Sequence, residues 1–209
     1  MSLFSIIKPT QELSVGIWEI TESIEELLEI TSLSIEEKNR LDNFNSVNRK
    51  QQWLATRTLT QKILNKEARI GYKESGKPYI LGSNFEFSIS HSEKFACVIL
   101  NENKSCGIDI EKISPKLDKV KHKFLNSSEY ELIREGNQLE KLCVIWGVKE
   151  SLYKMDGSNN LNFSNDINLL SNIDQKEGQV EAAINKNGQN KSFILEYSKV
   201  KDHMLVITL

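Results

Sequence analysis

The chain has 209 residues, a formal net charge of −2, 39 % apolar residues and 27 % charged ones, a balance too apolar for disorder and ordinary for a folded globular protein. That charge argues against broad nucleic-acid binding, which shows as a strongly basic domain, so any phosphate recognition must be local. No 18-residue apolar stretch is present to span a bilayer, and Met1–Leu13 carries only a five-residue apolar run with no basic region before it. Neither a membrane span nor a signal peptide is expected, and a cytoplasmic location is. Cys97, Cys106 and Cys143 form an odd set without a CxxC pair, which predicts buried free thiols in a reducing compartment.

In chain order, Val15–Ile20 reads as a strand that ends near the acidic helix signal Thr21-Glu22-Ser23, and a helical run follows to about Glu29. Ser34 followed by Glu37 is a capping box that opens a short helix through Leu41. A longer helix is predicted over Val47–Ala68, with Ala55, Leu59 and Ile63 repeating every four residues on its inner side. Arg49, Trp53 and Arg57 form a second row, which by itself describes a solvated face. Ser75-Gly76-Lys77-Pro78 carries turn chemistry. Phe85–Ser90 alternates like a strand, His91-Ser92 closes it, and Phe95–Leu100 and Cys106–Glu111 return as strands, suggesting an antiparallel meander.

Past Ser114-Pro115 the pattern is helical again, with Ser127 or Ser128 expected to cap a helix from Glu129 to about Glu135. Gly136-Asn137 breaks it, and a second helix is predicted from about Leu139 to Met155. From Asp156 the composition shifts to Asn, Ser and Gly, which marks loops. Val180–Ile184, Phe193–Tyr197 and Met204–Leu209 read as short strands. The fold class is therefore α+β, with helices and a small, mostly antiparallel sheet in each half.

The chemistry gathers in the middle. On a strand, side chains two apart share a face, so Asp109 and Glu111 point the same way while Ile108 and Ile110 turn to a core. Trp146, Glu150 and Lys154 stand on one side of a helix at i, i+4 and i+8. Three carboxylates that converge repel one another unless a cation lies between them, and Mg²⁺ takes oxygen ligands shared with substrate phosphates. The same residues also describe an edge strand with two solvated acids. Ser90 and His91 can both donate to phosphate oxygens, and Lys77, held by Pro78, can reach one; as a bare pattern each is also an ordinary structural residue.

Taken in order, Gly76-Lys77-Pro78, Phe87-Ser88-Ile89-Ser90-His91-Ser92, Gly107-Ile108-Asp109-Ile110-Glu111 and Trp146-Gly147-Val148-Lys149-Glu150-Ser151 resemble the signature of the 4′-phosphopantetheinyl transferases, more closely the Sfp-type class. The likeness spans roughly Ser34 to Lys154. It implies two pseudo-symmetric halves, 1–103 with the nucleotide end of a coenzyme A site and 104–209 with a Mg²⁺ site and the carrier-docking surface, and an active site at their junction. One departure is Gly147, where the family more often carries Ser or Ala; off the carboxylate row, it is expected to matter little.

The resemblance implies a Mg²⁺-dependent enzyme, a monomer, that moves the phosphopantetheine arm of coenzyme A onto a serine of an apo acyl or peptidyl carrier protein and releases adenosine 3′,5′-bisphosphate. Asp109, Glu111 and Glu150 would hold the metal. Lys149 and Lys154 would lie near the phosphates, with Lys154 stabilising the leaving group. Ser90, His91, Lys77 and Pro78 would bind the nucleotide, and Arg40 and Arg57 its 3′-phosphate. Glu150 and Glu129 are rival general bases. The carrier would dock on Lys116–Leu132, where Lys116, Lys119, Lys121 and Lys123 are basic and Phe124 and Leu125 offer apolar contact. Two other readings use the same residues: a metal-dependent phosphohydrolase, and a non-catalytic module that binds carrier or coenzyme A.

Overall fold

The computed structural model describes residues 4–173 and 175–209, so the first three residues of the stretch read for a leader lie outside it. Contacts divide the chain into two units, Met1–Lys104 and Ser105–Leu209. Each combines helices with an antiparallel sheet, and the fold is mixed α+β as expected. Among the described residues, no helix is long and apolar enough to cross a membrane.

The N-terminal unit begins with β1 (Phe4–Ile7) and β2 (Leu13–Glu19), an antiparallel pair in register Phe4↔Trp18 to Ile7↔Val15. β1 was not expected, because four residues are too few to show a period. α1 (Ile24–Ile30) and α2 (Ile35–Asp42) both start in capping boxes, Ser23 with Glu26 and Ser34 with Glu37. α3 (Val47–Leu64) stops four residues before the predicted Ala68, because Asn65 takes a left-handed conformation and its N–H closes on the carbonyls of Gln61 and Lys62. β3 (Ile70–Tyr72) and β4 (Pro78–Ile80) form a separate small ribbon around the predicted turn. β5 (Glu86–Ser92) and β6 (Phe95–Asn101) complete a sheet of order β1-β2-β6-β5. α3 packs on it through Leu54, Ala55 and Leu59. Trp53 and Arg57 are buried too, so the second row of α3 is not a solvated face.

The C-terminal unit corrects the meander. β7 (Ile108–Lys112) does not continue β5 and β6; it pairs with β11 (His203–Thr208) at the edge of a second sheet. Short-range pattern supports a hairpin after β6, but only the distant strand satisfies the backbone of β7. α4 (Lys116–Val120) and a 3₁₀ turn, Lys121–Lys123, lead to α5 (Ser127–Leu132). Its cap is Asn126 rather than either serine: the Asn126 side chain accepts from the Glu129 N–H at 3.0 Å. α6 (Gln138–Asp156) is capped by Asn137 and closed by Gly157 at φ 66°. β8 (Ile167–Leu169), β9 (Gly178–Lys186) and β10 (Gln189–Val200) give the order β7-β11-β10-β9-β8. The β9–β10 hairpin outruns its apolar signal, since Gln189 to Ser192 pair through backbone with Lys186 to Ala183.

α6 lies on this sheet through Leu142, Ile145, Val148 and Leu152, against Val180, Leu195 and Val206. Two glycines let it come close. A Cβ on Gly107 would lie 1.9 Å from the Ser151 carbonyl oxygen, and one on Gly147 would lie 2.5 Å from Val206 Cγ2. Gly147 lies off the carboxylate row as expected, and in the packing a Cβ there would require Val206 on β11 to shift. Cys97, Cys106 and Cys143 are all buried thiols.

Candidate active site

In β7, Asp109 and Glu111 alternate with Ile108 and Ile110, and the register opposes Asp109 to Val206 and Glu111 to Met204. The side chains of Asp109 and Glu111 share one face with α6 above it. Asp109 is only 5 % exposed. From α6, Lys154 reaches down: its Nζ donates to Asp109 Oδ1 at 2.6 Å and to the Ile108 carbonyl at 3.2 Å, and stands 3.9 Å from Glu150 Oε2. One ammonium thus serves two of the three predicted carboxylates.

Their electrostatics report the third. Burial pushes the Glu150 carboxyl up to about 7, against the pull of Lys154 and with repulsion from Asp109 and Glu111 added. Glu111 is raised by burial and then by Asp109. Cys143, whose Sγ donates to the Glu111 carbonyl, is held as a thiol by burial and by the same carboxylates. Asp109, Glu111 and Glu150 therefore feel one another's charge. Among the described residues, no three His, Cys, Asp or Glu side chains are gathered closely enough to hold a metal ion. The donor type is nonetheless the one a hard cation takes: three neighbouring carboxylates, with Lys154 beside Asp109 and Glu150, Lys116 and His203 acting on Glu111, and one carboxyl driven toward protonation.

Glu129 and Lys149 sit elsewhere. Both are fully buried, and Lys149 Nζ meets Glu129 Oε2 at 2.9 Å. The other two ammonium protons go to the carbonyls of Phe163 at 2.7 Å and Ile167 at 2.5 Å. Glu129 accepts from the backbone N–H groups of Asn126 and Leu169, both at 3.0 Å. Burial pulls the Lys149 pKa down and the Glu129 carboxylate opposes it. This pair clasps α5, α6 and β8 together.

In the N-terminal unit, Ser90 and His91 end β5, and the His91 ring meets the Arg49 guanidinium from the first turn of α3. Arg49 was not singled out as a site residue; its place in the row with Trp53 and Arg57 was the available signal. Lys77 lies in the turn before Pro78, 3.3 Å from Glu86. Arg40 is exposed and stacks 4.6 Å over the Tyr72 ring. Arg57 is 1 % exposed, lies 3.2 Å over the Trp53 ring and is held by Glu37 at 2.9 Å. Burial lowers its pKa, while Tyr72 and Glu37 oppose the shift. Glu37 does two jobs that sequence showed only in part: it closes the capping box of α2 and fixes Arg57.

The basic segment is split in its exposure. Lys116, Lys119, His122 and Lys123 are exposed, and Lys121 is tied to Asp118 at 2.8 Å. Phe124 and Leu125, expected to offer apolar contact, are buried in the core of the C-terminal unit. That expectation is corrected: both hydrophobes are consumed in packing α4 and α5 on α6.

Residues 105–208 match the 4′-phosphopantetheinyl transferase superfamily. The chain belongs to that superfamily. It is accordingly an enzyme of the phosphopantetheinyl transferase class. The matched span holds both β7 carboxylates, the Glu129–Lys149 clasp and all of α6. The transferase is 27 % identical to the human L-aminoadipate-semialdehyde dehydrogenase-phosphopantetheinyl transferase, over 92 % of this chain and 71 % of that protein. It is 31 % identical to the 4′-phosphopantetheinyl transferase AcpT of Salmonella typhi, over 52 % of this chain and 60 % of that one. To the 4′-phosphopantetheinyl transferase of Bacillus subtilis it is 28 % identical, over 66 % and 61 %.

Proposed function

We propose that this transferase is of the Sfp type, taking its phosphopantetheinyl group from coenzyme A and passing it to a serine of an acyl or peptidyl carrier protein with Mg²⁺ as cofactor. The observation that carries the metal end is the mutual repulsion of Asp109, Glu111 and Glu150 around the one ammonium of Lys154. Asp109, Glu111 and Glu150 would hold Mg²⁺, which neutralises pyrophosphate charge when bound. In the N-terminal unit, Ser90, His91, Lys77 and Pro78 would bind the nucleotide, and the exposed Arg40 its 3′-phosphate. Arg57, enclosed against Trp53 and paired with Glu37, would support that site by holding α2 to α3 rather than by touching the phosphate.

In the reaction, the carrier serine Oγ bonds to the phosphorus that bears the pantetheine. The bond from that phosphorus to the bridging oxygen breaks, and adenosine 3′,5′-bisphosphate leaves. We assign the serine proton to Glu150, not Glu129. A base must reach the hydroxyl, and Glu150 keeps 24 % of its side chain exposed, whereas Glu129 is enclosed and bound to Lys149. Lys154, already pointing among the carboxylates, offsets charge on the leaving group. Lys149 has its three protons committed and acts by holding α6 in place.

The test is incubation with coenzyme A, Mg²⁺ and apo carrier proteins, read by intact mass. One added phosphopantetheinyl group on the carrier is expected. No mass change with several acyl and peptidyl carriers overturns the reading, and turnover of pyrophosphate esters without a carrier would point to a phosphohydrolase.

A further inference from the structure

Trp146 is the first residue of the α6 row that also carries Glu150, one turn later, yet it faces no substrate group in the reading above. Its ring lies 5.1 Å from Phe124, edge-on, and 5.5 Å from Phe163. Phe163 continues the stack to Tyr153 at 5.4 Å. Phe124 directly follows Lys123, and the N–H groups of Phe124 and Leu125 both close on the Lys121 carbonyl, at 3.1 and 2.9 Å. The seat of Phe124 therefore sets where Lys121 to Lys123 stand. On the far side, the Phe163 carbonyl accepts from Lys149. One indole, carried on the same helix as Glu150, thus joins that helix through Phe124 to the segment that bears the exposed Lys116, Lys119, His122 and Lys123.

We propose that Trp146 is a positioning residue for the carrier protein: through Phe124 it fixes the basic segment at a set distance from Glu150, so that an acidic carrier bound there brings its serine to the catalytic helix. Stiff aromatic rings suit this task, having few torsions to relax, and small misplacements of a bound reactant cost rate steeply. The proposal rests on the transfer reading above and adds to it a residue that touches neither coenzyme A nor the serine.

The experiment is steady-state transfer with coenzyme A and apo carrier varied in turn, for the unaltered protein and Trp146→Leu, Trp146→Phe and Phe163→Leu, each checked for folding by circular dichroism. For Trp146→Leu, the KM for carrier is expected to rise about tenfold, which corresponds to about 1.4 kcal/mol, with the KM for coenzyme A unchanged. Trp146→Phe, which keeps a ring, restores the carrier KM to within about twofold. Phe163→Leu, which loosens the ring from its other side, moves the carrier KM in the same direction and decides the matter should Trp146→Leu not fold. An unchanged carrier KM, or equal loss toward both substrates, overturns the positioning role and leaves transfer standing. No transfer by the unaltered protein overturns the transfer reading itself, and the positioning role with it.

Discussion

The Glu129–Lys149 pair offers the sharpest test of how the C-terminal unit is held. Both side chains are fully enclosed, 2.9 Å apart, and between them they satisfy two backbone carbonyls and two backbone N–H groups on three elements. Lys149→Met removes the cation and leaves a carboxylate buried beside two orphaned carbonyls. Breaking such a pair from one side costs about 3–5 kcal/mol, because the remaining charge has lost its compensation. For a chain of this length each kcal/mol moves the melting temperature by about 2–4 °C, so a fall of about 6–20 °C is expected. Glu129→Gln leaves an ammonium buried and should cost a similar amount. The double variant carries no buried charge and should be less damaged than the sum of the two by about 2 kcal/mol or more. Urea denaturation followed by circular dichroism measures all three. Single variants that each lose less than about 1 kcal/mol, or strict additivity in the double, would refute the account of a buried and mutually dependent pair.

Glu150→Gln should lower kcat by about 10²–10⁴, the range for loss of a general base, while Glu129→Gln, assayed cold enough to stay folded, should keep kcat within about tenfold; the reverse order would return the base to Glu129. Gly147→Ala places a methyl group 2.5 Å from Val206 Cγ2 and should cost about 1–3 kcal/mol by overpacking. Val206→Ala added to it should recover much of that loss, and a Gly147→Ala variant with unchanged melting temperature would deny the close approach. A fourth prediction concerns pH. The Glu150 carboxyl is raised from its ordinary 4.5 to about 7, so the folded state binds the proton more tightly than the unfolded one. Its share of stability is then present below about pH 4.5 and is lost as pH rises toward 7, by up to about 3 kcal/mol at about 1.4 kcal/mol per unit. A cation held by the carboxylates reverses this, so Mg²⁺ should raise the melting temperature more at pH 8 than at pH 5.5; equal shifts at both would argue against Glu150 as a ligand.

Much of the local structure was legible because it depends on neighbours in sequence. The capping box of Ser34 and Glu37, the period of α3 and the alternation of Ile108 and Ile110 are all short-range signals. What failed depends on distance along the chain. β7 looked like the third strand of a meander, but its partner, β11, lies about a hundred residues on. β8 is a three-residue strand inside a polar run, and the β9–β10 hairpin is built partly from Asn, Lys and Gln whose backbones pair without any apolar pattern.

The same distinction runs through the site. Residue type and order along the chain were enough to nominate Asp109, Glu111, Glu150 and Lys154, because a phosphate chemistry needs charged groups and charge is visible in a sequence. They were not enough to separate the groups that stand at the edge of water from those enclosed in the fold. Lys149 and Lys154 are five residues apart on one helix and look alike as letters, yet one is enclosed with its protons spent on Glu129, Phe163 and Ile167, and the other stands a quarter exposed among carboxylates. Glu129 and Glu150 divide in the same way. Five residues on an α-helix amount to about 500°, or 140° around the axis beyond a full turn, which turns the two lysines to different surroundings. Burial then decides the rest: a charge enclosed with its partner is fixed in one state and serves the fold, while one at the edge of water can gain or lose a proton and meet a substrate.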